Sequence, residues 1–291
     1  MPVDSTRRAT VLGAGSWGTA LAVHLGTCGH DVKLWGRDAA LVETIAAARE
    51  NAAYLQGVPL PDAVTPDAVL NRALDAARFV VIAVPSHGLR AVLRQAAPFL
   101  PPGAILVSAT KGLDAETLDR MSQVVVQETA GRHAVVALSG PSFAIEVAQG
   151  LPTALVAASD TPSAVDAVQR ELAGPRLRLY GSDDLIGVEI GAALKNVIAI
   201  AAGAVESLHL GHNALAALIT RGLTEISRLA CAMGGRRETV SGLSGMGDLV
   251  LTCTGRPSRN RHVGIELGRG RALALGDIPA SLRQIEQQAA A

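Results

Sequence analysis

Two lysines stand where carbonyl chemistry could use them. Lys195 lies in Gly191-Ala192-Ala193-Leu194-Lys195-Asn196-Val197, inside the most apolar stretch of the chain, Leu185–Val205. An ammonium in such a helix must reach out along its own stem, find a partner, or hold its proton less tightly than usual. A lone surface lysine is the ordinary case, but apolar neighbours on both sides and the adjacent Asn196 weaken that reading here. Lys111, in Ser108-Ala109-Thr110-Lys111-Gly112, follows a strand and falls at the carboxyl edge of a sheet. Reducing a carbonyl needs a proton donor near the oxygen and a positive group to steady the developing alkoxide, and lysine can fill either role.

Asp248 sits in Leu243-Ser244-Gly245-Met246-Gly247-Asp248-Leu249, a glycine-rich turn before an apolar run. It can cap a helix, pair with Lys195 or bind substrate hydroxyls, and spacing alone leaves these level. Gly255-Arg256-Pro257-Ser258-Arg259-Asn260-Arg261 collects three arginines ahead of a helix. In a protein of formal net charge +0, that density favours an anion site built from an arginine fork and a helix N-terminus, over a merely solvated basic loop.

The first strand, Ala9–Leu12, runs into Gly13-Ala14-Gly15-Ser16-Trp17-Gly18 and then an amphipathic helix. In this strand-turn-helix setting Gly13 permits the tight turn and Gly15 lets a pyrophosphate approach. Gly18 lets helix and strand pack closely. The pattern indicates a dinucleotide cofactor. The second strand ends at Trp35-Gly36-Arg37-Asp38. Arginine there suits a 2′-phosphate and acid a 2′-hydroxyl, so Arg37 favours NADPH over NADH, while Asp38 faces the ribose or caps the next helix. Val84-Pro85-Ser86 closes another strand where the crevice of such a sheet opens, unless Ser86 and His87 form only a plain turn.

The elements that position these groups alternate. Candidate strands are Ala9–Leu12, Asp31–Trp35, Phe79–Val84, Ile105–Ser108, Val135–Leu138 and Ala154–Ala157; candidate helices are Thr19–Cys28, Leu41–Glu50, Leu89–Ala97 and Ala164–Leu172, and after Leu177–Tyr180 the pattern changes. Alternation at this spacing predicts parallel pairing in a doubly wound α/β sheet, Rossmann-like. Thr161 and Pro162 read as a cap and first helical residue, and Ser182 and Asp183 as caps of the next helix. Beyond them no strand signal appears, and Leu185–Ala204 and Ala214–Met233 read as closely packed helices. Residues 1–182 therefore form a nucleotide-binding domain and 183–291 an all-α substrate domain.

Neutral charge argues against nucleic acid or an anionic membrane. Glu189 and Lys195 make the apolar stretch too polar for a membrane span. Met1–Arg8 lacks the apolar run of a signal peptide. Cys28, Cys231 and Cys253, odd in number and far apart, suit a reducing compartment, so a cytoplasmic protein is expected. The histidines show no metal spacing; His209 and His212 read as loop residues, and no metal is expected.

Together the motifs resemble the bacterial NAD(P)-dependent glycerol-3-phosphate dehydrogenases. The matching stretches are VLGAGSWGTALA, LWGRD, NAAYLQGVPLP, ATKGL, LSGPSFAIEVA, LKNVIAIAAG, LSGMGDLVLTCTG and SRNRHVG, in order from Val11 to about Gly268. The resemblance implies reduction of dihydroxyacetone phosphate to sn-glycerol 3-phosphate, feeding phospholipid synthesis. It implies cofactor contacts from Ser16, Trp17 and Arg37, and contact with both cofactor and substrate from Lys111. Gly140, Ser142 and Ala144 would line the site and Lys195 would transfer the proton. Asp248, Ser258, Arg259 and Asn260 would hold substrate, with Arg259 also reaching the cofactor. A homodimer is compatible with the resemblance, though no motif specifies one.

The tail departs from the pattern. Arg269–Ala291 is weakly patterned, Gln284-Ile285-Glu286-Gln287 only imperfectly matches the family's Val-Glu-Gly-type segment, and the helical domain reads as shortened. Two alternatives follow: a shortened paralogue that binds nucleotide without catalysis, and a related hydroxyacid dehydrogenase that also uses a helical lysine.

Overall fold

The computed structural model describes residues 7–271. The chain opens on β1 (Arg8–Leu12), α1 (Ser16–Thr27), β2 (Asp31–Trp35), α2 (Ala39–Ala48), β3 (Val64–Asp67) and α3 (Leu70–Leu74). It continues through β4 (Phe79–Ile82), α4 (Ser86–Ala96), β5 (Ile105–Ser108), α5 (Met121–Glu128), β6 (Val135–Ser139), α6 (Ala144–Ala148), β7 (Thr153–Ala158), α7 (Pro162–Leu172) and β8 (Leu177–Ser182). The described elements after Ser182 are helical: α8 (Leu185–Ser207), α9 (Gly211–Ala232), α10 (Arg237–Val240), a π turn at Leu243–Gly247, α11 (Asp248–Thr254) and α12 (Arg259–Gly268).

The strands form one sheet in the order β3-β2-β1-β4-β5-β6-β7-β8. Chain order reverses between β1 and β4, which opens a crevice at the carboxyl ends of those strands. Successive residues of a strand face opposite sides of the sheet, and both sides are filled. Val11, Leu34, Phe79 and Val107 belong to one apolar cluster; Leu12, Trp35, Val80 and Leu106 belong to another. A third cluster, around Ile190, Ala202, Ile226 and Cys253, lies within the helices.

Pairing is parallel as the alternation predicts, with one exception: β7 runs antiparallel to β6 before β8 resumes parallel pairing with β7. The strand expected over Phe79–Val84 stops at Ile82, although Ala83 N still donates to Leu12 O at 2.9 Å and Ala83 O lies against Gly13. Short β3 escapes a reading for strands because Pro66 interrupts it. Proline is tolerated at the edge position that β3 occupies. Thr161 precedes Pro162 at the start of α7 but makes no side-chain cap. The cap of α8 is Asp184, whose carboxylate accepts from Gly187 N at 2.8 Å, and not Ser182 or Asp183. His212 lies within α9 rather than in a loop.

By length and composition α8 is the one described helix that could cross a membrane, but α9, α11 and α12 pack against it. Its contact with α12 is backbone-close: a Cβ on Gly203 would fall 2.0 Å from Arg261 O, and one on Gly264 1.8 Å from Ile200 O. Cys28, Cys231 and Cys253 are all free thiols. Met1–Thr6 and Glu286 lie outside the described residues.

Candidate active site

At the exit of β1, Gly13 adopts φ +118°, and a Cβ there would sit 2.6 Å from Ala83 O. Its N–H donates to Trp35 O at 2.9 Å, tying the turn to the end of β2. A Cβ on Gly18 would collide with Gly13 O at 1.8 Å, whereas one on Gly15 would meet nothing within 4 Å. Gly15 is also the N-cap of α1 and offers no side-chain cap. The first amides of α1, around Ser16 and Trp17, therefore have no side-chain cap at the positive end of the helix. Trp17 Nε1 is buried without a partner. These features fit a dinucleotide pyrophosphate: unpaired donors, a positive helix end and no side chain in the way.

Asn51, which no spacing rule singled out, braces this turn. Its Nδ2 donates to Ala14 O at 2.9 Å and to Thr19 Oγ1 at 2.8 Å. At the end of β2, Asp38 caps α2 by accepting from Ala40 N and Leu41 N, while Arg37 is exposed. Asp38 thus acts as the cap of α2, through Oδ1 alone.

The same sheet edge carries Lys111, after β5, and Gly140, after β6. Lys111 Nζ donates to Gly140 O at 3.1 Å and to Asp248 Oδ2 at 2.6 Å. Ser142 Oγ donates to the same Gly140 carbonyl at 3.0 Å. From α8, Lys195 Nζ donates to Asp248 Oδ1 and, at 3.0 Å, to Thr252 Oγ1. Asp248, the first residue of α11, thus gives one carboxylate oxygen to each lysine. Lys195 is 7% exposed and Asp248 1%.

Burial lowers the Lys195 pKa, the nearby Lys111 charge lowers it further, and Asp248 raises it in part, leaving it at about 7. For Asp248, burial pushes the pKa up, but the two ammonium groups outweigh it and hold the carboxyl below its usual range. The result is a buried acid poised near neutrality, held by a carboxylate that stays ionised.

Thr252 was not anticipated. It stands one helical turn after Asp248, on the same face of α11, and its hydroxyl also donates to Asp248 O at 2.6 Å. The position after Lys195 is used too: Asn196 Oδ1 accepts from Asn260 Nδ2 at 2.7 Å, and Asn260 Oδ1 is buried without a partner. Ser258 is buried with its hydroxyl committed to capping α12, where it accepts from Arg261 N at 3.2 Å. Of the three arginines, Arg261 pairs with Glu206, whereas Arg256 and Arg259 are exposed, Arg259 as the first residue of α12. Ala144 begins α6, which packs on α1 beside the glycine turn. Folding therefore gathers Lys111, Gly140, Ser142, Lys195 and Asp248 into one hydrogen-bonded group, with Asn260 joined one residue from Lys195.

Two family models match the chain. The one described as NAD-dependent glycerol-3-phosphate dehydrogenase N-terminus covers residues 8–165, and its C-terminus counterpart covers 184–289. A relative named glycerol-3-phosphate dehydrogenase (NAD(P)+) from Koribacter versatilis is 50% identical, over 95% of this chain and 82% of its own length. One of the same name from Geobacter sulfurreducens is 50% identical over 97% of this chain and 84% of its own. The crystal structure of glycerol-3-phosphate dehydrogenase from Coxiella burnetii superposes with a TM-score of 0.91 at 38% identity, covering 99% of this chain and 90% of that one.

Proposed function

The chain belongs to the NAD-dependent glycerol-3-phosphate dehydrogenase family, and on that premise we propose that it reduces dihydroxyacetone phosphate to sn-glycerol 3-phosphate, with NADH or NADPH as reductant, for glycerophospholipid synthesis. The observation that carries this reading is the buried Lys111–Asp248–Lys195 group at the sheet edge that also holds the glycine turn.

The glycine turn, Ser16, Trp17 and the open end of α1 hold the pyrophosphate, with Ala144 and Arg259 beside the cofactor. Arg37, exposed at the end of β2, meets the 2′-phosphate of NADPH. The nicotinamide, when bound, supplies the hydride that reduces the ketone carbon. Lys195 gives its Nζ proton to the ketone oxygen, and Lys111 steadies the negative charge that builds there. Asp248 fixes both ammonium groups, and Thr252 orients Lys195 further. Gly140 and Ser142 line the site. Asn260 and Arg259 take the phosphate and hydroxyl end of the substrate from the start of α12, which Ser258 caps.

Residues 1–182 act as the cofactor-binding domain and 183–291 as the substrate domain. The enzyme works in the cytoplasm, a reading supported by the free thiols of Cys28, Cys231 and Cys253.

The test is oxidation of NADPH and NADH by purified protein, with and without dihydroxyacetone phosphate. Oxidation that depends on the ketone phosphate is expected, and tight NADPH binding without turnover would defeat the reading. In Lys195→Ala, turnover falls by about 10²–10⁴-fold, the usual worth of a positioned proton donor, with cofactor affinity kept.

A further inference from the structure

One buried carboxylate on α8 takes no part in the reaction proposed above. Glu189 is 6% exposed and lies six residues before Lys195 on the same helix. Three donors from the sheet side converge on it. Ser122 N reaches Oε1 at 2.7 Å; Ser122 Oγ, at 2.7 Å, and Arg120 Nη1, at 2.6 Å, reach Oε2. Ser122 N belongs to the first turn of α5, whose amides have no partner within the helix, so the carboxylate closes that end of α5.

Arg120 has a second link. It bridges Leu113 across the loop between β5 and α5, and Asp114 N donates to Asp119 O at 2.9 Å inside that bridge. The loop is thus closed on itself, with Lys111 just before the bridge and Arg120 at its far end. A small cavity lined by Lys111, Gly112, Met121, Glu189 and Ala192 lies where the loop meets α8. Asp248 and Thr252 travel with Lys195 instead, because α11 packs on α8.

We propose that Glu189 is a positioning residue: by clamping Arg120 and Ser122 to α8, it sets the loop that carries Lys111 against the helix that carries Lys195, so that both lysines grip Asp248 together. This rests on the proton-transfer role proposed for Lys195. Apolar packing fixes an area of contact but not a register, whereas three directional bonds on one carboxylate fix distance and angle.

The direction of the effect follows from what surrounds Lys195: Lys111 from the loop, and Asp248, Thr252 and the Cys253 thiol from α11. Burial and the Lys111 charge hold its pKa down, and Asp248 pulls it up. Releasing the clamp admits water and moves Lys111 away while Asp248 stays, so Lys195 rises toward the ordinary lysine range.

The chain has only three lysines, Lys33, Lys111 and Lys195, so each side chain can be followed by NMR in lysine-labelled full-length protein and assigned with Lys→Arg variants. In Glu189→Gln, which keeps the side-chain size but loses the charge facing Arg120, the Lys195 titration is expected to move upward. The alkaline limb of kcat should move with it and kcat should fall by about tenfold or more, as misplaced catalytic groups do. The Kd for NADPH stays near wild type. Ser122→Ala, which removes the hydroxyl's bond to Glu189 and the one it accepts from Arg120 Nη1 at 3.1 Å but keeps Ser122 N and Arg120 on the carboxylate, should shift Lys195 the same way by less. A folded Glu189→Gln with unchanged Lys195 titration and kcat would overturn the proposal, and so would an unmoved Ser122→Ala if the first variant does not fold. Wild-type protein with no ketone-phosphate turnover would defeat the functional reading instead, and the titrations would still decide the clamp.

Discussion

At the scale of single residues, the site is governed by how three charges share one buried volume. Two ammonium groups flank the Asp248 carboxylate, and this sets a pH dependence with a definite sign. In the proposed role Lys195 must be protonated to donate in the reducing direction, so reduction is expected to fall as pH rises through about 7; oxidation of glycerol 3-phosphate, which would need the neutral amine, should rise through the same range. Asp248→Asn removes the attraction that raises Lys195, so the surviving activity should lose its alkaline limb at lower pH than wild type. A limb moved to higher pH would contradict the arrangement. Arg37→Ser tests the outer end of the cofactor site: KM for NADPH should rise by about ten- to a hundredfold, the worth of a lost charged hydrogen bond, with KM for NADH little changed. Equal effects on both cofactors would remove Arg37 from the 2′ position. Lys195 and Lys111 were legible in the sequence because a charge inside an apolar run, or just past a strand, is conspicuous. Thr252 and Asn51 were not, since each acts on a partner that only the folded chain brings near; Glu189 stood out as a charge in the same apolar run, but its partners Arg120 and Ser122 did not.

At the scale of elements, apolar runs of four to six residues read directly as buried parallel strands, and the glycine turn read as a helix entrance. Two kinds of element escaped. β3 carries Pro66, and α5 carries Val124-Val125-Val126, a β-branched run that propensity assigns to strands; tertiary packing overrides both. The reversal of β7 was also hidden, because alternation of strand and helix gives no direction by itself. The close pairing of α8 and α12 turns on atoms that are absent. Gly264→Ala would drive a Cβ to 1.8 Å from Ile200 O, a backbone atom on a buried helix that cannot swing away. Overpacking of this kind costs about 1–3 kcal/mol or more, so the urea midpoint should drop clearly. Because α12 presents Arg259 and Asn260, proposed above to hold the substrate, KM for dihydroxyacetone phosphate should rise as well. A variant as stable as wild type would mean that the helices do not meet as closely as described.

At the scale of the whole molecule, the sequence made the two-part plan plain, a sheet followed by helices, but not how the parts lock. They meet along a seam in which a small apolar cluster, Ala137, Val156, Ala158, Leu185 and Val188, is flanked by the two charged links, Lys111–Asp248 and Arg120–Glu189. Buried charges separated from their partners are costly to leave behind, so opening the seam should destabilise both sides at once. The halves are therefore expected to unfold as one cooperative unit. The chain supplies its own probes. Both tryptophans, Trp17 and Trp35, lie on the sheet side, in α1 and β2, while Cys253 is fully buried in α11 on the helical side. Burial pushes its thiol up to about 12, so in the folded protein it should resist alkylation at neutral pH. Tryptophan fluorescence and pulse alkylation of Cys253, followed through one urea series, should give the same midpoint. If Cys253 became reactive at clearly lower urea than the fluorescence change, the helical side would be opening alone, and the charged seam would not be what joins it to the sheet.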